Sequence, residues 1–177
     1  MRIIAGKHRG RVLSEFRGEE VRPTPDRVKE SLFQILSSRL LGARVLDLFA
    51  GTGALGLEAL SRGAREVVFN DHSPDSIALV KKNLFLTGES AKLTHLDYRT
   101  CLKSVSPPFD VIFCDPPYRL DIASDVLRFV KDNGVLSEGG LVVYESEREE
   151  TAPEGWERVD FRTYGRTKIA FFARSSS

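Results

Sequence analysis

The sequence of 177 residues has few cysteines and no long apolar run. Its two cysteines, Cys101 and Cys114, and the lack of a charged and then apolar leader after Met1 favour a reducing cytoplasm over secretion. The apolar stretches are far shorter than the roughly 20 residues that a membrane-spanning helix needs. Neither end carries a lipidation motif. We therefore expect a cytoplasmic protein that is not attached to a membrane.

Spaced metal ligands and excess charge are also missing. The histidines His8, His72 and His95 are scattered, so we expect no metal site. The formal net charge is only +1, which excludes a protein that coats nucleic acid indiscriminately. A chain of this length with 41% hydrophobic residues can bury a core without disulfides. We expect one domain over residues 1–177, and a monomer.

From about Arg44 onward, short apolar runs alternate with longer amphipathic segments, which is typical of an α/β fold. The predicted strands span residues 44–48, 66–70, 92–96, 111–114, 141–144, 156–161 and 168–172. The predicted helices span 24–41, with Thr24 or Asp26 as its cap, 73–86 and 122–130. Gly165, between the last two strands, predicts a hairpin that closes one edge of the sheet.

The first 29 residues differ in net charge from the rest of the chain. They hold eight Lys and Arg against four Asp and Glu, a net charge of +4, so the other 148 residues sum to −3. Two short β-like runs at 2–5 and 11–13 surround a basic turn, which predicts a small hairpin appended to the sheet within residues 1–20. Such a segment can bind RNA phosphates, although a solvated hairpin with incidental charge is the alternative. The candidate RNA contacts here are Lys7, His8, Arg9 and Arg11.

A G-x-G-x-x-G motif formed by Gly51, Gly53 and Gly56 follows the first strand of the 44–177 core. It is compatible with a dinucleotide site, with an S-adenosylmethionine site or with a turn needed only for tight packing. Asp47, just upstream, would repel a pyrophosphate but attract the cationic amino-acid end of S-adenosylmethionine. The motif therefore favours S-adenosylmethionine, and we include Phe49, which lies between Asp47 and Gly51, among the cofactor-binding residues.

Asp71 and Asp97 each directly follow a predicted strand, 66–70 and 92–96. Asp71 lies 20 positions after Gly51, where a carboxylate can accept hydrogen bonds from both ribose hydroxyls, or can simply be solvated. Asp97 could accept from an adenine amino group or cap a helix that begins at Tyr98. We leave both of these choices open.

The segment Asp115-Pro116-Pro117-Tyr118 follows the fourth strand, where open α/β sheets bind their ligands. The Asp115 side chain and the Pro116 carbonyl can accept hydrogen bonds from an exocyclic amine, and Tyr118 can stack on its base. A strand-ending turn without chemistry is the alternative. Because a sulfonium is a good leaving group, we expect no need for a raised pKa at Asp115. We expect Cys114 to be a buried, inert thiol on the opposite face rather than a nucleophile.

Four segments, at residues 6–11, 22–33, 47–59 and 115–118, resemble the bacterial RsmD family, which methylates guanine N2 in 16S ribosomal RNA. The resemblance implies a Rossmann-like class I methyltransferase, with a seven-stranded, mostly parallel sheet whose last strand is antiparallel. It also implies S-adenosylmethionine near the acids and glycines above, the target base against Asp115 and Tyr118, and a small-subunit particle as partner. It places three further RNA-binding residues at the mouth of the site: Arg22, Thr24 and Arg27.

Several alternatives stay open at this stage. An adenine-N6 methyltransferase, a glutamine methyltransferase and a nicotinamide dehydrogenase could share most of these motifs, and an RNA-binding ribosome-assembly factor could keep the fold as a scaffold. Arg166 departs from the acidic or polar residue often found in the family after the Tyr-Gly pair, so we assign it no role. We interpret the acidic run as a solvated loop rather than a site: Glu145, Glu147, Glu149 and Glu150.

Overall fold

The computed structural model describes residues 1–17 and 24–176. The helices are α1 (Asp26–Ile35), α2 (Ser37–Leu40), α3 (Ala54–Ser61), α4 (Pro74–Thr87), α5 (Tyr98–Ser104) and α6 (Ala123–Asp132). The strands are β1 (Arg44–Asp47), β2 (Glu66–Asn70), β3 (Lys92–Thr94), β4 (Phe109–Cys114), β5 (Leu136–Ser146), β6 (Trp156–Tyr164) and β7 (Thr167–Arg174). Within these ranges no helix is both long and apolar enough to cross a membrane.

The seven strands form one sheet in the order β3-β2-β1-β4-β5-β7-β6. The pairs among β1 to β5 are parallel, and β7 runs antiparallel to both of its neighbours. This confirms the predicted sheet, and β7 lies between β5 and β6, so β6 forms the edge. The order reverses between β1 and β4, and ligands of open α/β sheets bind at the carboxyl ends of strands flanking such a point.

Alternating side chains of the buried strands divide the core into two layers. Val45 and Phe113 face the layer that contains α1, α3 and α4, whereas Leu46 and Cys114 face α5 and α6. Cys114 is thus a buried thiol on the expected face, and burial raises its pKa well above the usual value. These observations confirm that Cys114 is buried on the predicted face, and its inertness stays a prediction.

The helix predicted over residues 24–41 differs in its start and its continuity. Neither Thr24 nor Asp26 is an N-cap, since Pro25 occupies that position and no side chain there makes a capping bond. Thr24 instead donates its hydroxyl towards Glu145, at 3.4 Å. The helix also breaks at Leu36, which separates α1 from α2. The assignment of Thr24 or Asp26 as the cap was therefore wrong.

The N-terminal arm, residues 1–17, has the pairing of a hairpin but not the predicted attachment. Arg2 and Val12 form an antiparallel bridge. The arm does not join the sheet in the part of the chain that is described, because it packs on helix α3. A Cβ at Gly6 would lie 1.9 Å from the carbonyl oxygen of Ser61, so only glycine permits this close approach. The arm therefore makes its backbone contacts with helix α3 and not, as predicted, with a strand of the sheet.

Glu58 of α3 holds the arm in place although its own side chain is fully buried. Its carboxylate accepts the N–H groups of Ile4 and Ala5 at 2.9 and 3.2 Å. It also lies 3.6 Å from Nζ of Lys29 and 2.9 Å from Nε of Arg62. Burial lowers the pKa of Lys29, whose ammonium donates in turn to the carbonyl of Arg2 at 2.6 Å. One carboxylate therefore joins the arm, α1 and α3.

We predict that Glu58→Gln strongly destabilises the fold. The substitution leaves the buried Lys29 without its counter-charge and turns an amide N–H₂ towards backbone donors, which costs about 3–5 kcal/mol in comparable buried networks. Urea denaturation measures the loss. The matched control is Glu66→Gln, whose carboxylate is 42% exposed and binds Arg44 at 2.8 Å, and which should cost about 1 kcal/mol or less. Equal losses in the two variants would contradict the role of Glu58.

Candidate active site

The glycine loop between β1 and α3 is built on left-handed backbone. Gly51 has φ 57° and Gly53 has φ 85°, conformations that side chains rarely adopt. The N–H of Gly51 donates to Asp71 at 2.9 Å, and the other carboxylate oxygen of Asp71 accepts the N–H of Ser73 at 2.9 Å. Asp71 therefore lies where it was predicted, beside the loop, and connects the ends of β1 and β2.

Gly56 has a packing role within the same motif. A Cβ added there would lie 2.3 Å from the ring of Phe69, which is fully buried in β2. The glycine lets the first turns of α3 lie directly on the sheet, which aims the N-terminus of the helix at the loop.

Asp47 ends β1 beneath this loop and is 1% exposed. Burial raises the pKa of its carboxyl group to about 7, against the opposing effect of the Gly56 N–H, which donates to it at 3.1 Å. The negative charge of Asp71 raises this pKa further. The carboxyl group therefore titrates near neutral pH, and a nearby cation would favour its ionised form.

Asn70 of β2, which the sequence did not single out, connects the carboxyl ends of β1, β2 and β3. Asn70, 1% exposed, donates its amide to the carbonyls of Leu48 and Leu96 at 3.1 and 3.0 Å. Its amide oxygen accepts from the hydroxyl of Thr94 at 2.6 Å. A polar side chain at the end of the apolar run 66–70 was the available signal.

Asp97 is an N-cap, one of the two roles left open. Its carboxylate accepts the N–H and the hydroxyl of Thr100 at 3.0 and 2.7 Å, and the backbone bond is the first cause of its lowered pKa. The side chain is exposed, so the cap leaves it open to further contacts. Tyr98, the next residue, has its ring 5.8 Å from that of Phe49 in the glycine loop. These residues line the β1 and β3 side of the site.

Asp115 follows β4 and lies beside a second carboxyl group. Cys114 pairs with Tyr144 of β5, and the next residue of each strand, Asp115 and Glu145, points to the opposite face. Burial raises the pKa of Asp115 well above its usual value, and the nearby Glu145 and Asp47 carboxylates raise it further. The raised pKa describes the environment of Asp115, while our expectation that the reaction does not need such a shift stays a prediction. Since two adjacent buried carboxylates resist double ionisation, we infer that the pair shares a proton.

The interpretation of Glu145 as part of a solvated loop is also wrong. Glu145 is 5% exposed and belongs to β5, whereas Glu147 and Glu149 of the same run are exposed. Its carboxylate accepts the hydroxyls of Tyr118 and Thr24, each at 3.4 Å. The run of acids in the sequence hid the boundary between strand and loop.

Tyr118 stands at the rim of the site. Its side chain is 41% exposed, while Pro116 is buried and Pro117 is exposed. Burial and the charge of Glu145 raise the pKa of Tyr118 to about 12, so its hydroxyl stays protonated and donates to Glu145. A partly exposed ring held at one end in this way offers a face on which a planar base can stack.

The residues predicted to bind RNA divide into separate groups. Lys7 and His8 both contact Glu89, at 2.7 and 2.8 Å, next to the end of α4. Thr24 reaches into the site through Glu145. The remaining candidates, Arg9, Arg11 and Arg27, are exposed, and Arg22 lies outside the described residues.

Comparison with known proteins extends over almost the whole chain. A family model described as Conserved hypothetical protein 95 matches residues 1–173. The chain is 37% identical to ribosomal RNA small subunit methyltransferase D of Haemophilus influenzae, over 93% of this chain and 89% of that protein. It is 34% identical to the protein of the same name from Escherichia coli, over 99% and 91%. The solved structure of a candidate methyltransferase from Escherichia coli has a TM-score of 0.89 at 34% identity, covering 100% and 99%.

We predict that Gly56→Ala lowers stability by about 1–3 kcal/mol because the new methyl group overpacks the contact with Phe69. Thermal unfolding measures the effect. The double variant Gly56→Ala with Phe69→Leu is the control, since the smaller side chain makes room for the methyl group. If Phe69→Leu costs the same in both backgrounds, the two side chains do not interact as described.

Proposed function

The chain belongs to the RsmD family, and from that membership and the geometry of its site we propose that it is an S-adenosylmethionine-dependent methyltransferase. The proposed acceptor is the exocyclic N2 of a guanine in 16S ribosomal RNA, carried by a small-subunit particle. The observation that carries the proposal is the position of Asp115-Pro116-Pro117-Tyr118 after β4, beside the glycine loop that follows the adjacent β1.

The residues around the glycine loop fit the proposed cofactor. A Cβ at Gly51 would meet no described atom within 4 Å, so the space beside the loop is open. Asp47, beneath it, favours a cationic amino acid and disfavours a pyrophosphate, which argues against a nicotinamide dinucleotide. Asp71 and Asp97 would bind the ribose and the adenine, and Phe49 would pack beside them. When bound, S-adenosylmethionine supplies an electrophilic methyl group.

The acceptor side of the site suits an aromatic amine. An oxygen of the Asp115 carboxyl group and the carbonyl of Pro116 would accept hydrogen bonds from the amine, which orients its nitrogen for in-line attack. Transfer would join the amine nitrogen to the methyl carbon while the bond from that carbon to sulfur broke. The amine then loses one proton, which the Asp115 and Glu145 pair can receive because it holds one proton for two carboxylates.

RNA would bind at the mouth of this site, near Thr24 and Arg27, and along the arm, whose turn packs on Ser61 at the other end of α3. The exposed Arg9, Arg11 and Arg27 can contact phosphates, while Tyr118 stacks on the target base. A base within a helical stack cannot reach Asp115, so the substrate is a base turned out of its stack or lying in an unpaired loop. One small domain acting as a monomer would then rely on the shape of an assembled particle for most of its selectivity.

We predict that Asp115→Ala retains S-adenosylmethionine binding but lowers methyl transfer by about 10²-fold or more, because the amine loses its acceptor. The assay incubates labelled donor with unmodified small-subunit particles and, separately, with free ribosomal RNA. Mass spectrometry of the nucleosides then distinguishes N2-methylguanosine from N6-methyladenosine. Calorimetry provides the binding control.

Three outcomes would overturn parts of this proposal. Normal transfer by Asp115→Ala would remove the role of that residue. Methyladenosine as the product would show that the acceptor is adenine and not guanine. A wild-type protein that binds RNA but no S-adenosylmethionine would support the scaffold alternative, and binding of a nicotinamide dinucleotide in its place would support a dehydrogenase.

We predict that the affinity for S-adenosylmethionine falls as pH drops below about 7. The pKa of Asp47 is about 7 in the free protein, so below that pH the carboxyl group is increasingly neutral and must release a proton to face the cationic cofactor. Above about pH 8 the affinity should level off. Calorimetry across this range tests the effect, and Asp47→Asn should bind more weakly with a flatter profile. An unchanged slope in that variant would assign the titration to another group.

A further inference from the structure

Glu145 is a buried acid whose position links the segment before α1, strand β5 and the Asp115 motif. Resting on the proposed function, we infer that Glu145 determines specificity for guanine. Its carboxylate accepts the N1–H of the target base while Asp115 holds the neighbouring N2 amine.

The sheet places these two acids side by side. Strands β4 and β5 are parallel and in register through four consecutive pairs that end at Cys114 and Tyr144. Asp115 and Glu145 come next, on one face and at the carboxyl ends of both strands, where the proposed base would lie. Two carboxyl groups thus project from adjacent strands towards one edge of a planar ligand.

Glu145 has acceptor capacity to spare. A carboxylate has about four lone-pair positions; the proton shared with Asp115 occupies one, and the two hydroxyl groups that reach Glu145 are at 3.4 Å, longer than the usual distance for hydrogen bonds between oxygens. Such long contacts orient the carboxylate without saturating it. Thr24 and Tyr118 are therefore positioning residues for Glu145.

The edge of guanine matches two neighbouring acceptors. Guanine presents adjacent donors at N1 and N2, whereas adenine presents a lone pair at N1 next to its amine. Because Asp115 can hold the proton that it shares with Glu145, the Glu145 oxygen that faces the base is an acceptor. An adenine N1 against that oxygen would bring two lone pairs together inside a buried site, which strongly disfavours binding.

The test uses particles in which the methylated position, once mapped, carries guanine or 2-aminopurine. The analogue keeps the 2-amino group but has a lone pair in place of N1–H. Wild type should methylate guanine about 10²-fold or more faster than the analogue, because a site built to hydrogen-bond one donor rejects a ligand lacking it. Glu145→Gln should lose about 10²-fold on guanine and bring the two substrates within about tenfold, since the amide can turn its N–H₂ towards N1.

A matched control separates recognition from structure. Glu147→Gln changes an exposed acid two residues further along and should leave the rate and the preference unchanged. Glu145→Gln should bind S-adenosylmethionine normally. Without the neighbouring charge, Asp115 should ionise at lower pH, so the limb of the rate profile on which the pair loses its one proton should shift to lower pH. A residue that served only folding would not produce that shift.

The outcomes keep the two proposals distinguishable. If wild type forms no N2-methylguanosine on either RNA or particles, the proposed function fails. If wild type forms it and Glu145→Gln keeps the full preference for guanine over 2-aminopurine, the proposed function stands and the role of Glu145 is overturned. An equal loss on both substrates without a shift of the pH profile would likewise overturn it.

Discussion

The buried carboxylate of Glu58 is the interaction on which the arrangement of the site depends. It binds the N-terminal arm through backbone N–H groups and α1 through Lys29, while its own helix begins at the glycine loop. The segment that leads into α1 contributes Thr24 to Glu145, on the far side of the site. A single acid on α3 thus relates the glycine-loop side of the proposed site to the Glu145 side. Buried charges of this kind are costly alone, and here two backbone N–H groups, Lys29 and Arg62 compensate the cost.

A second constraint arises from acids on one face of the sheet. Asp47, Asp115 and Glu145 follow or end adjacent strands, and the charges of the first and last raise the pKa of Asp115. Burying like charges together opposes folding unless they take up protons or meet a cation. A cationic cofactor and a base that presents hydrogen-bond donors would both relieve this repulsion. The repulsion among these acids in the free protein would therefore favour ligands that carry a positive charge or hydrogen-bond donors.

The sequence predicted what depends on local pattern. Apolar runs identified every strand, and the Ser73 cap and the glycine motif placed the α4 helix and the loop, because their signals lie within a few residues. Glu145 could not be found this way, since its position follows from the register of β5 against β4. The attachment of the arm was mispredicted for the same reason, because Gly6 meets Ser61, which is distant in sequence. Non-local contacts decided both.

Charge counted along the chain is likewise a poor measure of the charge available to RNA. The first 29 residues sum to +4, a count that already includes the pair of Arg2 with Asp26, and Lys7 also binds Glu89 outside that segment. The Lys7 and Arg2 side chains are both more than half exposed, so each pair adds little stability and its cation can exchange its partner for a phosphate at small cost. The cations that hold the arm beside α1 and near the end of α4 in the free protein could therefore turn to the backbone of a bound RNA.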